Sequence, residues 1–133
     1  MIQCTAGAGK INGPGGKIDP GESPLQCAIR EVQEELHVTA IDPVERGRLR
    51  FQFTDGLSIH CVVFVAIHFA GIPTETEEAV PLWTSVDAIP YDEMWEDDRY
   101  WLPEALSGRT FDGDFLFEDS RMLTKKIVWG ELG

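Results

Sequence analysis

An α+β or α/β sandwich with a mixed sheet is the fold this sequence predicts, on three patterns. Apolar residues recur at helical spacing over 24–36, a period-two alternation starts at Leu49, and a second helical stretch at Arg99–Leu106 is followed by more strand-like sequence. At 133 residues, 43% of them hydrophobic and four of them tryptophan, the chain can bury a real core. No internal repeat, low-complexity tract or linker composition divides it, so one domain spanning residues 1–133 is expected.

The first helix has the clearest start. Ser23, then Pro24, then Gln26 make a capping box with proline at the first helical position. Leu25, Ala28, Ile29, Val32 and Leu36 fall in an arc about 100° wide, which predicts a buried stripe. Next, Leu49, Phe51 and Phe53 alternate with Arg50 and Gln52. Thr54-Asp55-Gly56 then turns the chain into the β-rich run Leu57–Phe69, a hairpin expected at the centre of the sheet. Val80–Ser85 reads as a short strand. Arg99–Leu106 reads as a helix stopped by Ser107-Gly108, with Pro103 either near its middle or in its first turn. Phe111-Asp112-Gly113-Asp114-Phe115 carries a tight-hairpin signal, and Leu123–Trp129 closes as a final strand.

Chemistry concentrates on the first helix. Glu31, Glu34 and Glu35 occupy a second arc about 100° wide beside the apolar one. Like charges one turn apart cost a few tenths of a kcal/mol per pair, so the cluster calls for a cation. Only oxygen ligands are offered, which suits a hard metal, and Mg2+ best of all, because it keeps waters and takes a few carboxylates together with substrate phosphate. Arg30 stands four residues before Glu34 and can fix it. A bare acidic helix face would be read as solvated. Here the preceding loop, Asn12-Gly13-Pro14-Gly15-Gly16-Lys17, weighs against that, because its glycines permit positive φ and close approach of the backbone to a ligand.

Composition narrows the partners. A formal net charge of -12 argues against non-specific binding to nucleic acid or anionic membranes. An anionic substrate must then arrive with metal or meet local cations such as Lys17. Cys4, Cys27 and Cys61 are odd in number and without close pairing, as in a reduced, cytoplasmic protein. The longest apolar candidate, Ile59–Ala70, is short for a membrane span and is interrupted by His60 and His68.

From Gly16 through Glu22 to Arg30-Glu31-Val32-Gln33-Glu34-Glu35 and Val38, the chain resembles the Nudix box, G-x5-E-x7-R-E-U-x-E-E-x-G-U with U apolar. It matches every defined position but one. His37 replaces the glycine that suits a left-handed helix cap, so a small stability penalty without loss of chemistry is expected. The resemblance implies a Nudix fold, an α/β/α sandwich. Further on, Leu82-Trp83, Ile89-Pro90, Met94-Trp95-Glu96-Asp97-Asp98, Tyr100-Trp101 and Phe111-Asp112-Gly113 resemble the MutT-homolog subfamily that hydrolyses oxidised purine nucleoside triphosphates.

That resemblance implies roles for particular residues. The Gly15 carbonyl, Glu31, Glu34, Glu35 and Glu78 would ligate Mg2+, with Mn2+ able to substitute. Glu31 would act as general base with Glu35 in reserve, Arg30 would support the catalytic set, and Glu22 would hold the loop and Arg30. The substrate would meet Gly16 and Lys17, with Trp95 stacking on the purine and Asn12, Asp97 and Asp98 reading its edge. Two adjacent acids in an apolar pocket can titrate apart, one staying protonated, which lets the pair read both donors and acceptors. Taken alone, Asp97 and Asp98 would read as an exposed helix N-terminus. Phe51 and Phe53 match aromatic positions of the subfamily, with core packing an equal reading for at least one.

The implied reaction is hydrolysis between the α and β phosphates of a substrate such as 8-oxo-dGTP, giving the monophosphate and pyrophosphate. The alternatives are a Nudix hydrolase of another nucleoside diphosphate derivative, or a Nudix-like module that binds metal and nucleotide without turnover. One departure stands out: Met1 falls almost at the glycine loop, so the subfamily's usual N-terminal strands are expected to be missing. Either the start is misassigned or an exposed sheet edge is covered, with a homodimer the expected cover.

Overall fold

The computed structural model describes residues 2–6 and 10–132, with side chains from Lys10 to Gly130. In chain order its elements are β1 (Ile2–Ala6), β2 (Lys10–Asn12), α1 (Pro24–Leu36), β3 (Thr39–Ile41), β4 (Val44–Phe53), β5 (Ser58–Val65), β6 (His68–Ala70), β7 (Val80–Trp83), α2 (Asp98–Leu106), β8 (Arg109–Glu118) and β9 (Arg121–Leu132). The fold is α+β. The chain divides into two compact units, Met1–Val44 with Ala66–Met94, and Glu45–Val65 with Trp95–Gly133. Among the described residues, no helix is long and apolar enough to cross a membrane.

In the first unit β1 lies between β2 and β7 and pairs antiparallel with both, Cys4 facing Asn12 on one side and Pro81 on the other. The sequence patterns single out no element ahead of the glycine loop, where β1 and β2 stand. α1 forms where its caps require. The Ser23 hydroxyl accepts from the Gln26 amide at 3.1 Å, and the Gln26 side chain accepts from the Ser23 amide at 2.9 Å. At the other end His37 adopts the left-handed conformation, φ 59° and ψ 34°, where the motif has glycine. A side chain there costs about 1 kcal/mol or more, so the expected penalty has its backbone cause in place.

The buried seam of α1 differs from the predicted stripe. Leu36 packs with Val38, Ala79 and Val32, but Leu25 is 39% exposed, while Cys27 and Glu35 are buried. The reason is the glycine loop, which lies over this face: the Cys27 thiol donates to the Lys17 carbonyl at 3.4 Å. The apolar periodicity could not register a cover made of backbone. The loop glycines do not use the positive φ that they permit. The positive-φ glycines among the described residues are Gly21, Gly56, Gly71 and Gly108.

The run Leu57–Phe69 is not one strand. β5 ends at Val65, and β6 pairs antiparallel with β3 in a separate two-stranded sheet, Ala40 facing Phe69. The break follows from the partner that β3 supplies, a short segment with no strand signal of its own.

The second unit holds the mixed four-stranded sheet, in the order β5-β4-β8-β9. β4 runs parallel to β8, from Gly47 beside Phe111 to Phe53 beside Phe117, and β9 returns antiparallel to β8. The β4–β5 hairpin turns through Gly56, φ 101°, with the Phe53 amide donating to the Leu57 carbonyl. Leu49, Phe111, Phe115 and Phe117 form the core beneath Ala105 of α2. α2 starts at Asp98, which puts Pro103 inside it, and it ends at Ser107 and Gly108, φ 98°.

The tight hairpin expected at Phe111–Phe115 is overturned. β8 runs straight through, with Phe111, Gly113, Phe115 and Phe117 buried and Asp112, Asp114 and Glu118 exposed. Burial of alternate aromatic side chains outweighs the local turn preference of Asp-Gly. On the other face Arg50 of β4 binds both Asp112 and Asp114, reaching Asp114 at 2.7 and 2.9 Å. The reversal comes later, where Asp119 takes φ 52°.

Candidate active site

Within the first unit, α1 and the loop before it assemble a charge network on Arg30. Its guanidinium donates twice to Glu22, at 2.8 and 2.9 Å, to Glu31 at 2.9 Å and to Glu34 at 3.1 Å. It also donates to the Lys17 carbonyl at 3.0 Å and lies 3.4 Å from Asp19. Glu22 is thereby tied to the loop as well as to Arg30, since it accepts from the Asp19 amide. The Arg30 guanidinium holds the Glu22 carboxyl down to about 2, and Arg30 itself is shifted upward, chiefly by Glu22.

Glu31, Glu35 and Glu78 come together, each offering a carboxylate oxygen within 4.8 Å of the others. Glu31 and Glu35 share a face because they are one turn apart. Glu34 does not join them: its side chain is half-exposed and turned to Arg30. Glu35 is the buried member, and its carboxylate accepts from the Gly15 amide at 2.9 Å. Burial pushes its pKa up to about 7, with Glu31, Glu78 and Glu34 adding to the rise and the Gly15 amide opposing it. Three oxygen donors this close, with Arg30 reaching Glu31 but not Glu35, suit a hard divalent cation.

The loop contributes through close approach. A Cβ on Gly16 would stand 2.5 Å from the Glu31 carboxylate, so a side chain there would force that carboxylate out of its present position. Lys17 is exposed and Asn12 half-buried at the end of β2.

Of the residues expected to meet a purine, Asn12 belongs to the first unit, whereas Phe51, Trp95, Asp97 and Asp98 belong to the second. Phe53 and Phe117 both lie edge-on to Trp95, with centroids 6.5 and 5.8 Å away. Phe51 stacks on Phe115 at 5.4 Å. Asp97 and Asp98 are 3% and 9% exposed, which overturns the solvated helix N-terminus as their reading. Asp97 accepts from the Trp101 indole at 2.8 Å. Burial raises the pKa of both, that of Asp98 to about 7 with the Asp97 charge as a second cause. Cys61 belongs to the same environment, its thiol pushed up by burial and by both aspartates. Trp101, Phe117 and Cys61 carry no site role in the sequence patterns. For Phe117 the signal was present in the alternation through β8.

The Asp98 shift has a measurable consequence. An acid whose pKa is higher folded than unfolded binds its proton more tightly when folded, so stability falls as pH rises from the unfolded value near 4 to about 7, then levels. Asp98→Asn lacks this loss. The variant is expected to unfold at the same point as the parent near pH 4 and to be more stable at pH 8 by about 2–4 kcal/mol. Thermal unfolding followed across that range is the check, and parallel curves would show that Asp98 titrates normally.

Comparison with known proteins supplies the context. A family model described as NUDIX domain matches residues 2–105. The oxidized purine nucleoside triphosphate hydrolase of Mus musculus is 39% identical over 116 residues, covering 85% of this chain and 73% of that protein. The 8-oxo-dGTP diphosphatase of Escherichia coli (strain K12) is 42% identical over 48 residues, 36% of this chain and 37% of its own length. The crystal structure of the mutator MutT protein from Bacillus halodurans superposes with a TM-score of 0.87 at 25% identity, covering 95% of this chain and 88% of that one. The family match over residues 2–105 and the 39% identity across most of both chains place this protein among the Nudix hydrolases.

Proposed function

We propose that this enzyme hydrolyses oxidised purine nucleoside triphosphates, 8-oxo-dGTP foremost, to the monophosphate and pyrophosphate, cleansing the cytoplasmic nucleotide pool. The relatives named above for oxidised purine nucleoside triphosphates and 8-oxo-dGTP support the substrate class. What carries it is the burial of Asp97 and Asp98 beside Trp95. An aromatic face alone accepts every base, whereas two buried acids, one of them protonated near neutrality, can select the donor and acceptor pattern of an altered purine edge.

Glu31, Glu35 and Glu78 would hold Mg2+, for which Mn2+ can substitute, with the Gly15 carbonyl and Glu34 as further candidate ligands. The metal, when bound, neutralises phosphate charge and lowers the pKa of water. Arg30 engages one oxygen of Glu31 and leaves the other to accept the proton of the attacking water. Glu35, held by the Gly15 amide, is the alternative base. Lys17 supplies a local positive charge for polyphosphate in a chain of net charge -12. Free thiols at Cys27 and Cys61 accord with a reducing compartment.

Pyrophosphate release from 8-oxo-dGTP and from dGTP, measured side by side with Mg2+, tests the proposal. Preference for the oxidised nucleotide by about tenfold or more is expected, as befits a site built around buried hydrogen-bonding groups. Equal rates would reject selection of the base, and no release from either would redirect the activity to another diphosphate substrate.

A further inference from the structure

Glu78 lies on the loop between β6 and β7, 43 residues beyond Glu35, and nothing in its own side chain explains why it meets the α1 glutamates. It is exposed and comes from a segment without regular structure, whereas Glu31 and Glu35 are fixed by the helix. The geometry points to Thr76 as the positioning residue that delivers Glu78 to the glutamate cluster, an inference that rests on the metal reading of that cluster.

The Thr76 hydroxyl uses its full hydrogen-bonding capacity on this task. It donates to the Glu35 carbonyl at 2.7 Å, across 41 residues of sequence, and accepts from the amides of Glu78 at 3.2 Å and Ala79 at 3.3 Å. One oxygen thus ties the last turn of α1, which bears Glu35, to the backbone that bears Glu78. Two further bonds close the loop around it: the Thr76 amide donates to the Ala79 carbonyl at 2.9 Å, and the Thr74 amide to the Leu36 carbonyl at 2.9 Å. The carbonyls of Glu35 and Leu36 are among the last of the helix, which have no partner within it, so loop and helix end satisfy each other. Ala79, 3% exposed, packs with Leu36 and Val38 and anchors the far side of the same turn. A carboxylate on so exposed a loop would otherwise sample many positions, at an entropic cost on every binding event.

The test uses the full, metal-free chain titrated with Mn2+ and followed by electron paramagnetic resonance. Thr76→Val keeps the shape and β-branching and removes the hydroxyl. It is expected to weaken Mn2+ binding by about tenfold, in the range found when groups orienting a metal ligand are lost. Thr76→Ser, which keeps the hydroxyl, is expected to bind within about twofold of the parent. In a Glu78→Gln background, Thr76→Val should add less than about twofold, because the group it positions is already disabled. Parent-like binding by Thr76→Val overturns the inference, and so does an equal loss in both backgrounds, the mark of a general structural defect. Absence of Mn2+ binding by the parent chain brings down the metal reading of the cluster and this inference with it. Binding by the parent that Thr76→Val leaves unchanged overturns the inference alone.

Discussion

Glu31→Gln is expected to lower kcat at least about 1000-fold while nucleotide affinity is kept, the largest effect of any single side chain here. A positioned general base is worth about 100- to 10,000-fold, and Glu31 is also one of the three carboxylates within 4.8 Å. The isosteric amide keeps the volume that Gly16 leaves open beside it, so misfolding is not the expected cause. Removing a negative charge from an acidic site does not weaken attraction for a polyphosphate. Pyrophosphate release together with equilibrium binding of the nucleotide is the check. A fall of less than tenfold would move the base to Glu35, and loss of binding in step with turnover would make Glu31 a binding residue alone.

Arg30→Met should rank second, and it should act on stability and activity together. Arg30 bridges Glu22 of the loop to Glu31 and Glu34 of the helix, and its loss leaves those carboxylates to repel one another beside the Glu35–Glu78 pair. Displacement of a catalytic group by about an ångström costs on the order of 100-fold in rate, and a loss of that size in kcat is expected. The stability loss has a pH signature. Glu22 is held at about 2 by Arg30, below its ordinary value of 4.5, so the stabilisation is present above pH 4.5 and disappears as pH falls through 2. The variant should therefore be clearly less stable than the parent at pH 7, with the gap narrowing toward pH 2, as denaturant titrations at several pH values would record. A gap independent of pH would mean that Arg30 stabilises by packing rather than by charge.

How far the sequence reached depended on whether the deciding interaction was local. The start of α1 at Ser23 and its left-handed end at His37 involve groups within four residues of each other, and both are present as expected. The spacing of Glu31 and Glu35 likewise places them on one face without help from the rest of the chain. By contrast, the Asp112-Gly113 turn signal is a local preference overruled by neighbours: Phe111 and Phe115 are held by the register with β4, and Phe115 also stacks on Phe51 of that distant strand. What Gly16 supplies is likewise set from outside its own segment, for it leaves clearance for the Glu31 side chain, a demand made by the helix rather than by the loop.

The sequence by itself determined the helix, its caps, the charge it carries and the likeness to the Nudix box, because each rests on repeats and spacings that local backbone geometry turns directly into shared faces. Only the tertiary structure decided which carboxylates meet and which are buried. It brought Glu78 from a distant loop to Glu31 and Glu35, left Glu34 with Arg30, and removed Asp97 and Asp98 from solvent, raising their pKa values. Burial and long-range hydrogen bonds depend on segments brought together by the whole chain, such as Thr76 on the end of α1, and a side chain's type does not reveal whether water or an indole ring will stand beside it.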